Sequence, residues 1–99
     1  MASYDQKIKA AINGDKIVMY SKTYCPYCKM AKSALKGVNA TFKAIELDEM
    51  NDGADYQNAL QAITGVRSVP QVFIGGKYVG GGTDMKKLHD SGKLATMVA

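Results

Sequence analysis

The stretch VPQVFIGGKYVGG (residues 69–81) leaves the backbone few options. Two short apolar runs flank Gly75-Gly76. A two-residue loop of this kind needs positive φ, which glycine adopts without steric cost. The segment is therefore expected to be a tight antiparallel hairpin, and the rest of the chain must build a sheet around it.

The residues before it alternate between the two periodicities. Tyr4, Ile8, Ala11 and Ile12 recur at helical spacing, and Asn13-Gly14 stops the run. KIVMYS is a short apolar run with β-branched and aromatic content, which reads as a buried strand. Pro26 to Lys36 reads as a helix closed by Gly37. TFKAIEL is a second strand. Asp55 to Thr64 is a helix with Tyr56, Leu60 and Ile63 on one face, closed by Gly65. After the hairpin, Thr83 is expected to cap a last helix carrying Met85 and Leu88. Gly92 ends that helix, and Leu94, Met97 and Val98 extend it by one turn.

A strand, a crossover helix and a second strand make a right-handed parallel pair. The hairpin adds antiparallel strands. The expected fold class is α/β: a small mixed four-stranded sheet with helices on both faces, in one domain over residues 1–99.

Composition excludes several functions. No run approaches the roughly 18 apolar residues of a membrane span. The N-terminal MASYDQKIKAAING has charges spread through it and no continuous apolar core, so a secretory signal is not expected. A cytoplasmic location is the default expectation. The net charge is +4, with lysines scattered rather than striped, which suits small anionic partners and argues against nucleic acid. DEMNDG at 48–53 begins like a calcium loop, but Met50 and Ala59 occupy ligand positions. GGKYVGGGT lacks the Lys-Ser/Thr ending of a phosphate loop.

The two cysteines, Cys25 and Cys28, lie at the junction between the first strand and its following helix. Ligand sites in open α/β sheets lie at such carboxyl ends of strands. With Cys25 at the N-cap, Pro26 takes the first helical position, where its missing N–H costs nothing. A Cys25 thiolate then faces the amides of Tyr27 and Cys28 and the positive end of the helix dipole. Lys22 and Lys29 add to that field. The thiolate is the nucleophile, so these terms point to a reacting centre. Cys28, inside the first turn, is expected to be less exposed. The loop a disulfide would close is very short and offers little chain-entropy stabilisation, which suits a bond made and broken in turnover. A structural zinc site needs four ligands, and two Cys with the single distant His89 do not supply them.

A C-x-x-C beside a strand–helix–strand pattern reads as thioredoxin-like. Over nearly its full length the sequence resembles a dithiol (C-P-Y-C) glutaredoxin. The residues that carry the resemblance are TYCPYC at 23–28, TGVRSVPQVFIGG at 64–76 and GGGTD at 80–84. The chain has no Trp, whereas typical thioredoxins have Trp before the first Cys.

The resemblance implies a glutathione-dependent thiol–disulfide oxidoreductase with glutathione as reducing co-substrate and no metal. Its other partners are glutathionylated and disulfide-containing proteins, and the chain is expected to be a monomer with no membrane association. Cys25 alone reduces glutathione mixed disulfides, and Cys28 joins it for protein disulfides. The resemblance also implies a glutathione site. Lys22 and Arg67, helped by Gln57, face the glycyl carboxylate. Tyr27 packs beside the thiolate. Ser68 stands where the family often has Thr and keeps the hydroxyl. Val69 presents its backbone to the cysteinyl part of glutathione, before a cis Pro70. Gly82, Thr83 and Asp84 hold the γ-glutamyl end.

Two further readings stay open on the sequence. An iron–sulfur carrier would use Cys25 from each of two subunits with two glutathiones, although Pro26 tells against it. A thioredoxin-type reductase recycled by a flavoenzyme would differ in its reductant.

Overall fold

The computed structural model describes residues 3–99. Helix α1 (Tyr4–Gly14) starts at a capping box, in which the Ser3 hydroxyl accepts from the Gln6 N–H and the Gln6 side chain accepts from the Ser3 N–H. Strand β1 (Ile17–Ser21) follows, then α2 (Pro26–Gly37), β2 (Lys43–Glu46), a single 3₁₀ turn (Leu47–Glu49) and α3 (Gly53–Thr64). Strands β3 (Gln71–Ile74) and β4 (Lys77–Gly80) form the hairpin, and α4 (Gly82–Asp90) and α5 (Lys93–Val98) end the chain.

The sheet order is β2-β1-β3-β4, with β1 parallel to β2 and antiparallel to β3. This is the expected mixed four-stranded sheet. Gly75 (φ 61°) and Gly76 (φ 80°) both take positive φ, as the two-residue loop requires.

Alternation along β1 sends its side chains to two cores. Val18 and Tyr20 face α1 and α3 and pack with Ile8, Ile12, Leu60 and Phe73. Ile17 and Met19 face α2, α4 and α5 and pack with Ala31, Leu35, Val72, Met85 and Leu94. Every residue of β1 is buried, so its carboxyl end is a fixed platform for the loop that carries Cys25.

Four expectations are corrected. Gly37 does not end α2 through a left-handed turn. It is the last helical residue, and the positive φ falls on Asn39 (57°). A Cβ there would stand 2.6 Å from His89 Nε2 on α4, the tip of an exposed side chain that can move aside. Helix α3 begins at Gly53 rather than Asp55, because its backbone packs against the 3₁₀ turn, where a Cβ would meet the Leu47 carbonyl oxygen. Thr83 is not a cap. Helix α4 starts earlier, with Gly81 as N-cap, because the Asp84 carboxylate at the third helical position accepts from the Gly81 N–H at 2.9 Å. The C-terminal turn is a separate helix, α5, set off by Gly92 at φ 80°.

Candidate active site

Cys25 is the N-cap of α2, with Pro26 as the first helical residue. The chain reaches it from β1 through a tight turn in which the Cys25 N–H donates to the Lys22 carbonyl at 3.2 Å. The Cys28 N–H donates to Cys25 Sγ at 3.3 Å. Of the two amides the sequence offered, Cys28 makes this bond. A second contact comes from across the groove, where Cys25 Sγ lies 3.9 Å from the Val69 carbonyl oxygen. Cys25 is half-buried, and both cysteines are free thiols.

Cys28 is in a different environment. It is fully buried, and the Lys22 N–H points at its sulfur at 3.5 Å. Burial pushes its thiol up to about 11, helped by the hydrogen bond with Cys25, against smaller opposing effects from the Lys22 amide and the Ser21 hydroxyl. One cysteine is therefore presented and the other held back as a thiol.

The loop before β3 is braced from behind. Gln71 is buried, and its amide donates to the carbonyls of Val66 and Ser68. Gln57, also buried, donates to the Arg67 carbonyl at 3.1 Å. Arg67 Nε donates to Asn58 Oδ1 at 3.1 Å. These bonds hold the backbone of residues 66–69, and Val69-Pro70 is cis. Gln57 thus spends its amide on the loop instead of projecting from the surface.

A groove of about 550 Å³ opens along this loop. Tyr27, Ser68, Val69, Pro70, Gly82, Thr83 and Asp84 line it, which unites seven of the residues singled out in the sequence. Gly82 makes the junction possible, because a Cβ there would lie 2.4 Å from the Tyr27 carbonyl oxygen. The N-terminus of α4 is thereby seated against the first turn of α2. Two helix N-termini, each a site of positive partial charge, adjoin the same groove. Tyr27 is exposed beside Cys25.

Lys22, Gln57 and Arg67 do not line this groove. Lys22 adjoins the cysteines through its backbone, Gln57 lies behind the loop, and Arg67, on the loop, reaches Asn58 of α3. Neither Lys22 nor Arg67 forms a carboxylate pair among the described residues.

Several site residues had no individual role assigned from the sequence. Thr23 is clamped by Asp48, which accepts from its N–H at 3.0 Å and from its hydroxyl. The Thr23 hydroxyl, then its amide and the Lys22 charge, hold the Asp48 carboxyl below the usual range. Val66 and Tyr78 add apolar surface to the groove. Under α2, the Ser21 hydroxyl donates to Glu46 Oε2 at 3.3 Å, and Lys32 pairs with Glu46 Oε1 at 3.0 Å.

Comparison with known proteins places this arrangement. The family model Glutaredoxin matches residues 17–79. Glutaredoxin-C2 of Arabidopsis thaliana is 46% identical over 93 residues, 94% of this chain and 84% of that protein. The crystal structure of a buckwheat glutaredoxin–glutathione complex superposes with a TM-score of 0.91 at 42% identity, over 96% of this chain and 86% of that one. The holo form of glutaredoxin C1 from Populus tremula x tremuloides gives 0.92 at 40% identity, over 96% and 94%.

Proposed function

The chain belongs to the glutaredoxin family, whose members are glutathione-dependent thiol oxidoreductases, and from that premise we propose two routes for it. Cys25 alone reduces glutathione mixed disulfides, and Cys25 with Cys28 reduces protein disulfides. The observation that carries this division is the unequal setting of the two thiols. Cys25 is half-buried at a helix N-terminus and accepts an amide hydrogen bond, while Cys28 is fully buried in the first turn.

In the first route the Cys25 thiolate attacks the glutathione sulfur of a mixed disulfide. The substrate leaves as a thiolate, and the Cys25–glutathione disulfide forms. A second glutathione thiolate attacks the glutathione sulfur of this adduct. It returns the Cys25 thiolate and yields glutathione disulfide. In the second route the Cys28 thiolate attacks Cys25 Sγ in the adduct with a protein. The protein leaves reduced, and the internal disulfide forms. Two glutathiones then reduce that disulfide. Thiol exchange of this kind depends on thiolate fraction and on access to the sulfur attacked.

The groove is the proposed seat of glutathione. The Val69 backbone pairs with its cysteinyl part in the manner of an added strand. The exposed amides at the start of α4 take the γ-glutamyl carboxylate. Asp84 commits Oδ2 to Gly81, which leaves Oδ1 for the ligand amine. Tyr27 flanks the sulfur. Lys22 and Arg67 supply positive charge toward the glycyl carboxylate, and Gln57 acts by fixing the loop that carries Arg67. A reducing compartment such as the cytoplasm fits a protein that works with both thiols free.

A coupled assay with a glutathione mixed disulfide tests the reading. Turnover supported by glutathione and abolished in Cys25→Ser is the expected result. Turnover that requires thioredoxin reductase instead would overturn it.

A further inference from the structure

Asp48, the first residue of the DEMNDG stretch, lies outside the groove but reaches the loop that carries Cys25. Its two carboxylate oxygens both turn to Thr23. Oδ1 accepts from the Thr23 N–H at 3.0 Å, and Oδ2 accepts from the Thr23 hydroxyl. Among the described residues, no other side chain hydrogen-bonds Thr23.

Register builds this contact. Ser21 and Glu46 are the last pair of the parallel β1–β2 ladder. Thr23 and Asp48 each stand two residues beyond it, so the two segments leave the sheet side by side. The 3₁₀ turn that carries Asp48 is a firm mount. Leu47 is buried in the core with Ile8 and Leu60. The Met50 N–H donates to the Leu47 carbonyl at 3.3 Å, and the Gly53 backbone packs over the same carbonyl. The Lys22–Cys25 loop has few ties of its own. The Lys22 N–H points at Cys28 Sγ at 3.5 Å, and the Cys25 N–H donates to the Lys22 carbonyl at 3.2 Å. Both bonds lie within the loop and the helix it enters. Besides the contact of Cys25 Sγ with the Val69 carbonyl, Asp48 is what ties the loop to a separate part of the fold.

We infer that Asp48 is a positioning residue of the Cys25 chemistry: its double hydrogen bond to Thr23 fixes the β1–α2 loop, and with it the place of Cys25 at the start of α2. The inference rests on the Cys25 route proposed above. Nucleophilic attack is steep in geometry, and a displacement of about 1 Å can cost about a hundredfold in rate. A carboxylate suits the task, because it accepts an N–H and an O–H at once and its charge strengthens both bonds. Neither thiol is among its hydrogen-bond partners, so Asp48 acts through Thr23. Its charge alone would work the other way, since an anion beside the loop disfavours a thiolate and repels an incoming carboxylate. The clamp and the charge therefore have opposite signs, and an experiment separates them.

Alkylation of the reduced full chain by iodoacetamide near about pH 7, read by peptide mass spectrometry at Cys25, tests it. The reagent is uncharged and needs no glutathione, so it reports on the thiol apart from groove binding. Asp48→Ala is expected to slow alkylation of Cys25 and to lower kcat/KM for a glutathione mixed disulfide, each by about fivefold or more. Asp48→Asn, whose oxygen still accepts from the Thr23 N–H, should recover most of both losses. Thr23→Val removes the hydroxyl and leaves the carboxylate, and it should slow alkylation by about two- to threefold. The Asp48→Ala deficit should be equal at low and high salt, because lost geometry is not screened. Asp48 is exposed, so its variants open no cavity. Parental alkylation in Asp48→Ala would overturn the proposal. So would equal slowing in the Ala and Asn variants. Faster alkylation in both, fading with salt, would mark a charge effect alone and overturn it too. A parent protein alkylated at Cys25 that turns over no glutathione mixed disulfide would overturn the Cys25 route itself, an outcome distinct from failure of the clamp.

Discussion

Gly82 sits so close to Tyr27 that a methyl group on it would stand 2.4 Å from the Tyr27 carbonyl oxygen. Backbone cannot yield as a side-chain tip can, so Gly82→Ala must push α4 away from α2. The expected cost is about 1–3 kcal/mol of stability, the usual range for overpacking. The groove wall should move as well. Thermal unfolding and the KM for a glutathione mixed disulfide are the measurements, and both should worsen. An unchanged melting temperature would mean that the two helix starts are not in contact.

Cys25→Ser and Cys28→Ser should separate the two proposed routes. The first variant is expected to lose all turnover, because no other thiol sits at the α2 N-cap. The second should keep deglutathionylation and lose reduction of a protein disulfide. Under oxidised glutathione it should accumulate one added glutathione mass. Both assays on the same Cys28→Ser preparation decide the matter. If deglutathionylation collapses with disulfide reduction, the single-cysteine route is wrong.

Lys22→Ala and Arg67→Ala should raise the mixed-disulfide KM by about two- to fivefold each while changing kcat little, as exposed charges contribute modestly to binding. The effect should fade as salt rises. Steady-state kinetics at low and high ionic strength read this directly. Parental KM values at low salt would remove both residues from the site.

Burial of Cys28 also predicts an alkaline limit on stability. Its thiol rises from the ordinary 9.0 to about 11 in the folded protein. Between those values the folded chain holds a proton that the unfolded chain has released. Its contribution is therefore complete below about pH 9 and is lost as pH rises through about 11. Denaturant unfolding across this window should report a fall in stability that Cys28→Ala diminishes. An identical slope in the variant would place the loss on other groups. Tyr20, buried and pushed up to about 12, is the first to examine.

The parts legible in the sequence are those with a local cause. The Gly75-Gly76 loop, the Cys25-Pro26 helix start and the Gly65 stop each follow from what one or two residues tolerate. The errors at Gly37 and Gly53 share a different origin. Each lies against a residue outside its own helix, His89 for one and Leu47 for the other, and a glycine records no partner. Thr83 was the natural cap by composition, but the Asp84 carboxylate fixed the start at Gly81 instead. The Ser21–Glu46 contact was invisible because register, rather than spacing, joins residues 25 positions apart. Groove residues were recoverable as a set only through the resemblance, since four separate segments of the chain contribute to the lining.

The strand order also bears on the protein-disulfide route proposed above. A disulfide reductase meets partly unfolded chains whose strand edges are open, and an open edge invites pairing that ends in aggregates. The two central strands here are the apolar ones, while the outer positions go to β2 and β4. Each outer strand is only four residues long and opens on a lysine, Lys43 or Lys77. An irregularity at Val72/Phe73 further breaks the β3–β4 ladder, and such breaks bend the strand away from a flat template. On the two-cysteine route proposed above, a protein substrate would meet short, lysine-led borders rather than a long open edge.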